Sequence, residues 1–186
     1  MKAAADVSQV AARSPSGQTA AGQTAAGRLR VRAMTAADLP AVDAIEQDVQ
    51  PFPWRSGQFA GALDAGYLAW IFTGADPTAP VGYAVLVGVL DEWELLTFAL
   101  ARSHQGQGLG GEALDILLAH IRGQGGRCLF LEVASANAPA LRLYRSRGFR
   151  TVGQRRAYYR HADGRTDDAW VMRCDLVPGD SEQDSR

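Results

Sequence analysis

The order of strand-like and helix-like segments between Leu29 and Leu176 is the feature that most constrains the fold. Residues 29–34 alternate apolar and polar side chains as a half-buried strand does. Thr35 then stands where an N-cap residue would begin a helix over about 36–47. This spacing predicts a first strand and helix in sequence.

A short second helix, predicted over 56–65, is followed by three predicted strands in direct succession. The breaks between these strands are the turn-forming segments 74–77 and 90–91. The three strands cover residues 67–72, 81–89 and 92–100. Strands that follow one another across short turns indicate an antiparallel meander.

The second half of the chain returns to alternating helices and strands. A Gly-rich turn over 105–111 precedes a helix to about Arg122, whose apolar residues recur at helical spacing. The later elements are a strand over 128–133, a helix over 138–146 that Gly148 stops, and strands over 151–159 and 169–176. The predicted class is therefore α/β or α+β, with a mixed sheet.

The two ends of the chain lack this periodicity. The first 27 residues are rich in Ala, Gln, Ser, Gly and Thr, and the pentapeptide at 17–21 is repeated at 22–26. Because so little apolar surface cannot offset the entropy of ordering, we predict disorder over 1–27 and 178–186, around a single domain over 28–177. The leading segment lacks the apolar core of a signal peptide, and a transit peptide would usually carry more arginine.

Composition excludes several partners. The 19 Lys and Arg residues balance 20 Asp and Glu residues, so the basic excess of a nucleic-acid-binding protein is missing. No apolar run approaches the ~20 residues of a membrane span. Cys128 and Cys174 lie in apolar runs without the spacing of a zinc site or a disulfide framework, which favours buried thiols in a reducing compartment. We expect a cytoplasmic monomer or weak dimer with no nucleic-acid or membrane partner.

The Gly-rich turn is the most informative local feature for function. Its four glycines let the backbone approach a ligand closely, and the N–H groups at the start of the next helix attract anionic oxygens. A pyrophosphate fits that geometry, although such a segment can also be only a turn. The Lys-Ser/Thr pair of a nucleotide P-loop is missing, and a dinucleotide fold would have this turn near its first strand.

Several motifs resemble those of one enzyme family. The pattern Gln-x-x-Gly-x-Gly at 105–110 resembles the acetyl-coenzyme A (acetyl-CoA) signature of GNAT acetyltransferases. Further motifs, in order and spacing, resemble RimI-type ribosomal-protein alanine N-acetyltransferases. They are Phe52-Pro53-Trp54, Leu90-Asp91-Glu92, Leu131-Glu132-Val133, Asn137-Ala138, Leu143-Tyr144, Arg155-Arg156-x-Tyr158-Tyr159 and Asp163-Gly164-Arg165. The spacing Leu143-Tyr144-x-x-x-Gly148-Phe149 resembles the wider GNAT pattern.

The resemblance implies a GNAT-like, mostly antiparallel sheet flanked by helices, and a set of cofactor-binding residues. The acetyl and pantetheine portions of acetyl-CoA would lie along Phe98, Ala99 and Leu100. The pyrophosphate would lie on the turn residues Gly106, Gln107, Gly108, Leu109, Gly110 and Gly111. Asn137 would also contact the cofactor, or else cap a helix. The family commonly has Arg at the positions of Gly106 and Gly111, so two charge-assisted phosphate contacts are missing here.

The resemblance also implies catalytic roles. Glu132 matches the family's general base and Tyr144 its general acid, roles that the chemistry needs because an ammonium must lose a proton before it attacks a thioester. A structural ion pair for Glu132 and core packing for Tyr144 are the alternatives. No metal is required. An acetylated Cys128 intermediate is a minor alternative, since no His lies close to it in sequence.

The acceptor follows from the same resemblance. Six residues occupy segments that would surround the groove for an N-terminus, although each can also be structural. They are Trp54, Tyr67, Asp91, Glu92, Tyr158 and Tyr159. The function expected is direct transfer, in a ternary complex, from acetyl-CoA to the N-terminal alanine of a ribosomal or other protein. A small amine or Lys acceptor, or a non-catalytic acyl-CoA sensor, remains an alternative.

Overall fold

The structure, a computed structural model, describes residues 27–55, 57–161 and 163–176. Except for Gly27, the predicted disordered segments 1–27 and 178–186 lie outside these residues. The described residues form seven strands: β1 (Arg30–Ala33), β2 (Leu68–Thr73), β3 (Pro80–Val89), β4 (Glu92–Leu100), β5 (Cys128–Ala134), β6 (Arg150–Arg160) and β7 (Thr166–Asp175). Four α-helices accompany them: α1 (Leu39–Val49), α2 (Gln58–Asp64), α3 (Leu109–Gly123) and α4 (Ala138–Arg145).

The strands form one sheet in the order β1-β2-β3-β4-β5-β7-β6. Neighbours are antiparallel throughout except for β4 and β5, which run parallel. The mixed, mostly antiparallel sheet expected from the sequence is therefore confirmed, and so is the meander of β2, β3 and β4.

Both faces of the sheet are covered by helices. Along β3, Ala84 and Leu86 belong to a core cluster shared with α3 and α4, whereas Tyr83 and Val85 belong to a second cluster shared with α1 and α2. This alternation follows from the two-residue side-chain period of a strand. The run of buried apolar residues in β3 is explained by its place at the centre of three layers.

Element bounds agree with the predictions to within about three residues. The helix expected over 36–47 begins with a 3-10 turn, Ala36–Asp38, before α1. The Asp38 carboxylate fixes this start, because it accepts hydrogen bonds from the N–H and the hydroxyl of Thr35, at 2.8 and 2.9 Å. The predicted second helix begins at Gln58 because Gly57 before it has a φ of +92°.

The parallel pair at the centre of the sheet is short. It joins β4 and β5 only from Glu92 opposite Cys128 to Leu95 opposite Leu131. Beyond these residues, β4 remains paired only with β3, and β5 remains paired only with β7, so β4 and β5 diverge. A bulge that gives β4 one additional residue, Leu96, lies where the divergence begins. The result is an open gap in the sheet, which we call the β4–β5 gap.

Both cysteines, Cys128 and Cys174, are buried free thiols, as their apolar surroundings in the sequence predicted. Among the described residues, no helix is both long enough and apolar enough to cross a membrane.

Candidate active site

The β4–β5 gap opens into a cavity. Its walls come from both diverging strands, from α4 and its N-cap, from α1 and the segment after it, and from β6. The lining residues include Gln50, Phe52, Leu96, Thr97, Phe98, Glu132, Val133, Ala134, Asn137, Tyr144 and Tyr159. Both predicted catalytic residues and two predicted cofactor-binding residues, Phe98 and Asn137, therefore lie at one cavity.

Main-chain groups of β4 face the gap. The carbonyl of Phe98 accepts a hydrogen bond from Gln50 Nε2 at 3.2 Å, and that of Leu100 accepts one from Gln105 Nε2 at 2.9 Å. In an antiparallel ladder the N–H and C=O of one residue point to the same side, so the N–H groups of Phe98 and Leu100 also point away from β3. Ala99, between them, is paired with Tyr83 of β3. The edge of β4 can thus donate hydrogen bonds to an extended ligand.

The Gly-rich turn follows directly. Gly106 and Gly108 have φ values of +73° and +79°, a conformation that glycine adopts without steric cost. The N–H groups of Gly111 and Glu112 bond the Gly108 carbonyl at 3.1 and 3.3 Å, which begins α3 at Leu109. The preceding N–H groups have no partner within the helix, and they lie at its positive end. The turn is therefore suited to bind anionic oxygens.

Two arginines from other parts of the chain flank this turn. A Cβ atom on Gly111 would stand 2.8 Å from the guanidinium carbon of Arg147, and one on Gly108 would stand 3.4 Å from Nη2 of Arg28. Arg147 pairs with Asp115, and Arg28 pairs with Glu112. Positive charge is therefore present beside the turn although Gly106 and Gly111 are not arginines.

Glu132 has an ion-pair partner at the cavity wall. Its side chain is 12% exposed and pairs with the guanidinium of Arg155, which reaches across from β6. Burial and a hydrogen bond to Glu132 raise the pKa of Tyr158. The ion pair explains how a carboxylate is tolerated in an apolar strand, and its position at the cavity also suits a proton acceptor. The two interpretations of Glu132 are compatible.

Tyr144 and Asn137 lie on one face of α4 and both line the cavity. Asn137 Oδ1 accepts the N–H of Ala140 at 3.2 Å, so it caps the helix as one interpretation expected. The Tyr144 ring packs 5.6 Å from the Phe149 ring. Burial, and to a smaller extent Tyr159, raises the pKa of Tyr144, so its phenol stays protonated.

An aromatic cluster joins the segment after α1 to β6. The ring of Phe52 stacks on Tyr159 at 4.6 Å and contacts the edge of His161 at 4.8 Å, and Tyr158 meets Tyr159 edge-on at 5.1 Å. Burial raises the pKa of Tyr159 to about 12, with a further contribution from the charge of Glu132. Both Tyr158 and Tyr159 lie near Glu132, whose charge contributes to their raised pKa values.

Four of the residues suggested for acceptor binding lie outside the cavity lining. Trp54 packs in the second core cluster, 4.9 Å from the Phe59 ring, and Tyr67 packs against the same cluster. Asp91 pairs with Arg127, and Glu92 lies opposite Cys128 at the closed end of the strand pair. Glu92 is three residues before the last pairing, roughly 10 Å from the gap. We do not assign these four residues to the acceptor site.

Cys128 shares that closed end. Burial raises the pKa of its thiol, which disfavours the nucleophilic thiolate. Its position and its protonation both argue against an acetylated cysteine intermediate. Among the described residues, no group of three or more His, Cys, Asp or Glu side chains could hold a metal ion.

Two further cavity residues were missed by sequence reasoning. Glu46 is buried. Its carboxylate accepts a hydrogen bond from the N–H of Trp54 at 2.7 Å and another from the hydroxyl of Tyr83. The sequence does hold one indication of this role: Glu46 follows Val42 by four residues, which puts a carboxylate on the apolar face of α1. Gln50 has no such signal, because its bond to Phe98 joins residues 48 apart.

A comparison with known families decides the assignment. The model of the Acetyltransferase (GNAT) family matches residues 31–149. The chain belongs to the GNAT family. The ribosomal protein bS18-alanine N-acetyltransferase of Escherichia coli is 37% identical over 142 residues, which make up 76% of this chain and 94% of that enzyme.

Solved structures of similar proteins agree with the fold. The crystal structure of the Escherichia coli ribosomal-protein-S18-alanine N-acetyltransferase matches with a TM-score of 0.74 at 34% identity, and the match covers 82% of this chain and 97% of that one. The yncA protein of Salmonella typhimurium, solved with its cofactor acetyl-CoA, matches with a TM-score of 0.66 at 21% identity over 86% of this chain and all of that one. This GNAT chain therefore has the fold of its relatives over nearly their full length.

Proposed function

We propose that this protein transfers the acetyl group of acetyl-CoA to the N-terminal α-amine of a ribosomal protein that begins with alanine. The observation that carries the proposal is its 37% identity to an enzyme of that activity over nearly the whole length of that enzyme. The cavity supports it, because a main-chain edge, a carboxylate and a phenol meet there. We place the reaction in the cytoplasm, with the protein as a monomer or weak dimer, no nucleic-acid or membrane partner, and no metal.

The donor side of the site is built from main chain. The N–H groups along Phe98 and Leu100 would bind the pantetheine arm and polarise the thioester carbonyl, since preorganised donors stabilise developing negative charge. The turn over 106–111 and the start of α3 would hold the pyrophosphate. Asn137, at the far wall, would contact the same arm while it caps α4. Acetyl-CoA supplies an activated acyl group, so the protein needs only to position the amine and move protons.

Glu132 would take the proton from the amine, directly or through water. An N-terminal amine has a pKa of about 7.7–8.0, so a carboxylate close to it suffices near neutral pH. The ammonium can replace Arg155 as the cation beside Glu132, because the Arg155 side chain is 57% exposed and has room to move away. Tyr158, hydrogen-bonded to the same carboxylate, would keep it oriented.

Tyr144 would protonate the departing sulfur. The nitrogen–carbon bond forms as the carbon–sulfur bond breaks, and the thiolate receives a proton from the phenol. The second proton that the nitrogen loses as the amide forms returns to the phenolate, so both side chains account for the protons of the transfer. The raised pKa of Tyr144 keeps that proton available at every pH at which the amine is reactive. Transfer is therefore direct, from donor to acceptor in one ternary complex.

The alternatives are a Lys or small-amine acceptor at the same site, and a non-catalytic acyl-CoA sensor. Both are tested by mass spectrometry of peptides incubated with the protein and acetyl-CoA. We expect a ribosomal peptide that begins with alanine to gain one acetyl group at its α-amine, and its N-terminally blocked, Lys-containing counterpart to stay unmodified. Equal modification of the two peptides would exclude the N-terminal assignment, and no modification of either peptide or of small amines would favour the sensor.

A further inference from the structure

Arg147 occupies an unusual place beside the first turn of α3. It lies in the link between α4 and β6, and its side chain is 30% exposed. Its guanidinium fills the space next to Gly111 so closely that a Cβ atom there would stand 2.8 Å from its central carbon. The position is therefore open to Arg147 only because residue 111 is glycine.

The guanidinium is held in place and still has free donors. Its Nε and Nη2 atoms donate to the Asp115 carboxylate at 3.1 and 3.2 Å, and Nη1 donates to Ser146 Oγ at 2.9 Å. These bonds use three of the five N–H groups of the guanidinium, so two remain. Asp115 is 58% exposed and thus screened by water, which leaves the arginine a charged group beside the positive end of α3.

We propose that Arg147 contacts phosphate oxygens of bound coenzyme A (CoA), and that it supplies from outside the turn the charge that Gly111 does not carry. The proposal rests on the proposed function, in which acetyl-CoA is the donor. Arginine suits this role, because its planar fork matches a phosphate and forms charge-assisted hydrogen bonds. The structural alternative is that Arg147 only ties the α4–β6 link to α3 through Asp115.

Calorimetry with three ligands separates these roles: CoA, 3′-dephospho-CoA and pantetheine, which has no phosphate. We expect Arg147→Gln to weaken CoA binding about tenfold, as the loss of one charge-assisted contact would, and to leave pantetheine binding unchanged. An equal loss for CoA and dephospho-CoA would assign the contact to the pyrophosphate, and a loss for CoA alone would assign it to the 3′-phosphate. The matched control is Arg150→Gln, which removes an exposed arginine that also pairs with a carboxylate, Asp175.

A reciprocal rescue adds a second test. Because Arg147→Ala leaves open the space beside Gly111, the double variant Arg147→Ala with Gly111→Arg should regain most of the CoA affinity that Arg147→Ala loses. Asp115→Asn, which removes the carboxylate and keeps the arginine, should bind CoA at least as tightly as wild type. Unchanged CoA affinity in Arg147→Gln, or a loss of CoA affinity in Asp115→Asn equal to that in Arg147→Gln, would overturn the proposal. Wild-type protein that binds CoA but acetylates no peptide would instead contradict the proposed function alone.

Discussion

Among single residues, Glu132 has the surroundings that matter most for transfer, because a cation, a phenol and the cavity meet at its carboxylate. The cation is the mobile member, since Arg155 is largely exposed whereas the carboxylate is not. A charged partner that can leave balances the charge of the carboxylate without occupying its place permanently. We expect Arg155 to mark the place that the acceptor's ammonium takes.

Replacing Glu132 with Gln tests its role as the base. The variant should lose about 10²-fold in kcat/KM near neutral pH, and part of that loss should return as pH rises and the amine deprotonates without help. Tyr144→Phe should also slow turnover, but without rescue at high pH, since a scarcer proton does not help the thiolate. The measurement is a pH-rate profile on an Ala-initiated peptide.

Glu92→Gln is the matched control for this experiment, because it removes an exposed carboxylate at the closed end of the same strand pair. It should keep wild-type activity across the profile. A fully active Glu132→Gln enzyme would remove Glu132 from the mechanism.

At the scale of elements, the Gly-rich turn depends on backbone conformation more than on side chains. Gly108 has a φ of +79° directly before α3, and Gly125 has a φ of +77° just beyond its other end. The two glycines therefore carry similar backbone constraints at opposite ends of one helix. Only Gly108 lies beside the proposed pyrophosphate site.

Gly108→Ala should weaken acetyl-CoA binding by about tenfold or more, because a side chain at positive φ costs roughly 1–2 kcal/mol and moves the N–H groups of the turn. Gly125→Ala places a side chain at a similar positive φ, so it should lower the free energy of unfolding by roughly 1–2 kcal/mol. It should bind the cofactor normally, since open space surrounds its added methyl group. Calorimetry and thermal unfolding of both variants give the comparison. Equal cofactor affinity in the two variants would contradict the phosphate-binding role of the turn.

The bounds of helices and strands could be predicted from the sequence, whereas the shape of the site could not. Periodicity, glycines and caps are local, so they placed α4 and β5 to within about one residue. The β4–β5 gap could not be predicted, because it depends on how far two strands 36 residues apart keep pairing. The same limit applies to side chains: the pair of Glu132 with Arg155 and the bond of Gln50 to Phe98 form only once distant strands and helices pack.

At the scale of the whole molecule, three tyrosines on two elements link stability to pH. Burial is the first cause of the raised pKa in Tyr144, Tyr158 and Tyr159, and the pKa of Tyr159 reaches about 12. The unfolded chain would ionise its tyrosines near 10. Between these values the unfolded state binds fewer protons than the folded state, so the free energy of unfolding falls as pH rises.

We therefore expect the melting temperature to decline between about pH 10 and 12, beyond any change seen from pH 7 to 9. Tyr159→Phe should make the decline shallower, because it removes one titrating phenol and keeps the ring that stacks on Phe52. Thermal unfolding followed by circular dichroism measures both. Identical slopes for wild type and Tyr159→Phe would show that Tyr159 does not contribute.

The main-chain edge of β4 has a consequence for how such proteins diverge. Every residue type except proline carries the same N–H group, so substitutions at Phe98 or Leu100 leave the hydrogen-bonding pattern of the edge intact. Two descendants of one ancestor can therefore keep the same cofactor and share few side chains around it. What must be inherited is the separation of two strands and a few glycines, and residue-by-residue identity is a poor measure of either.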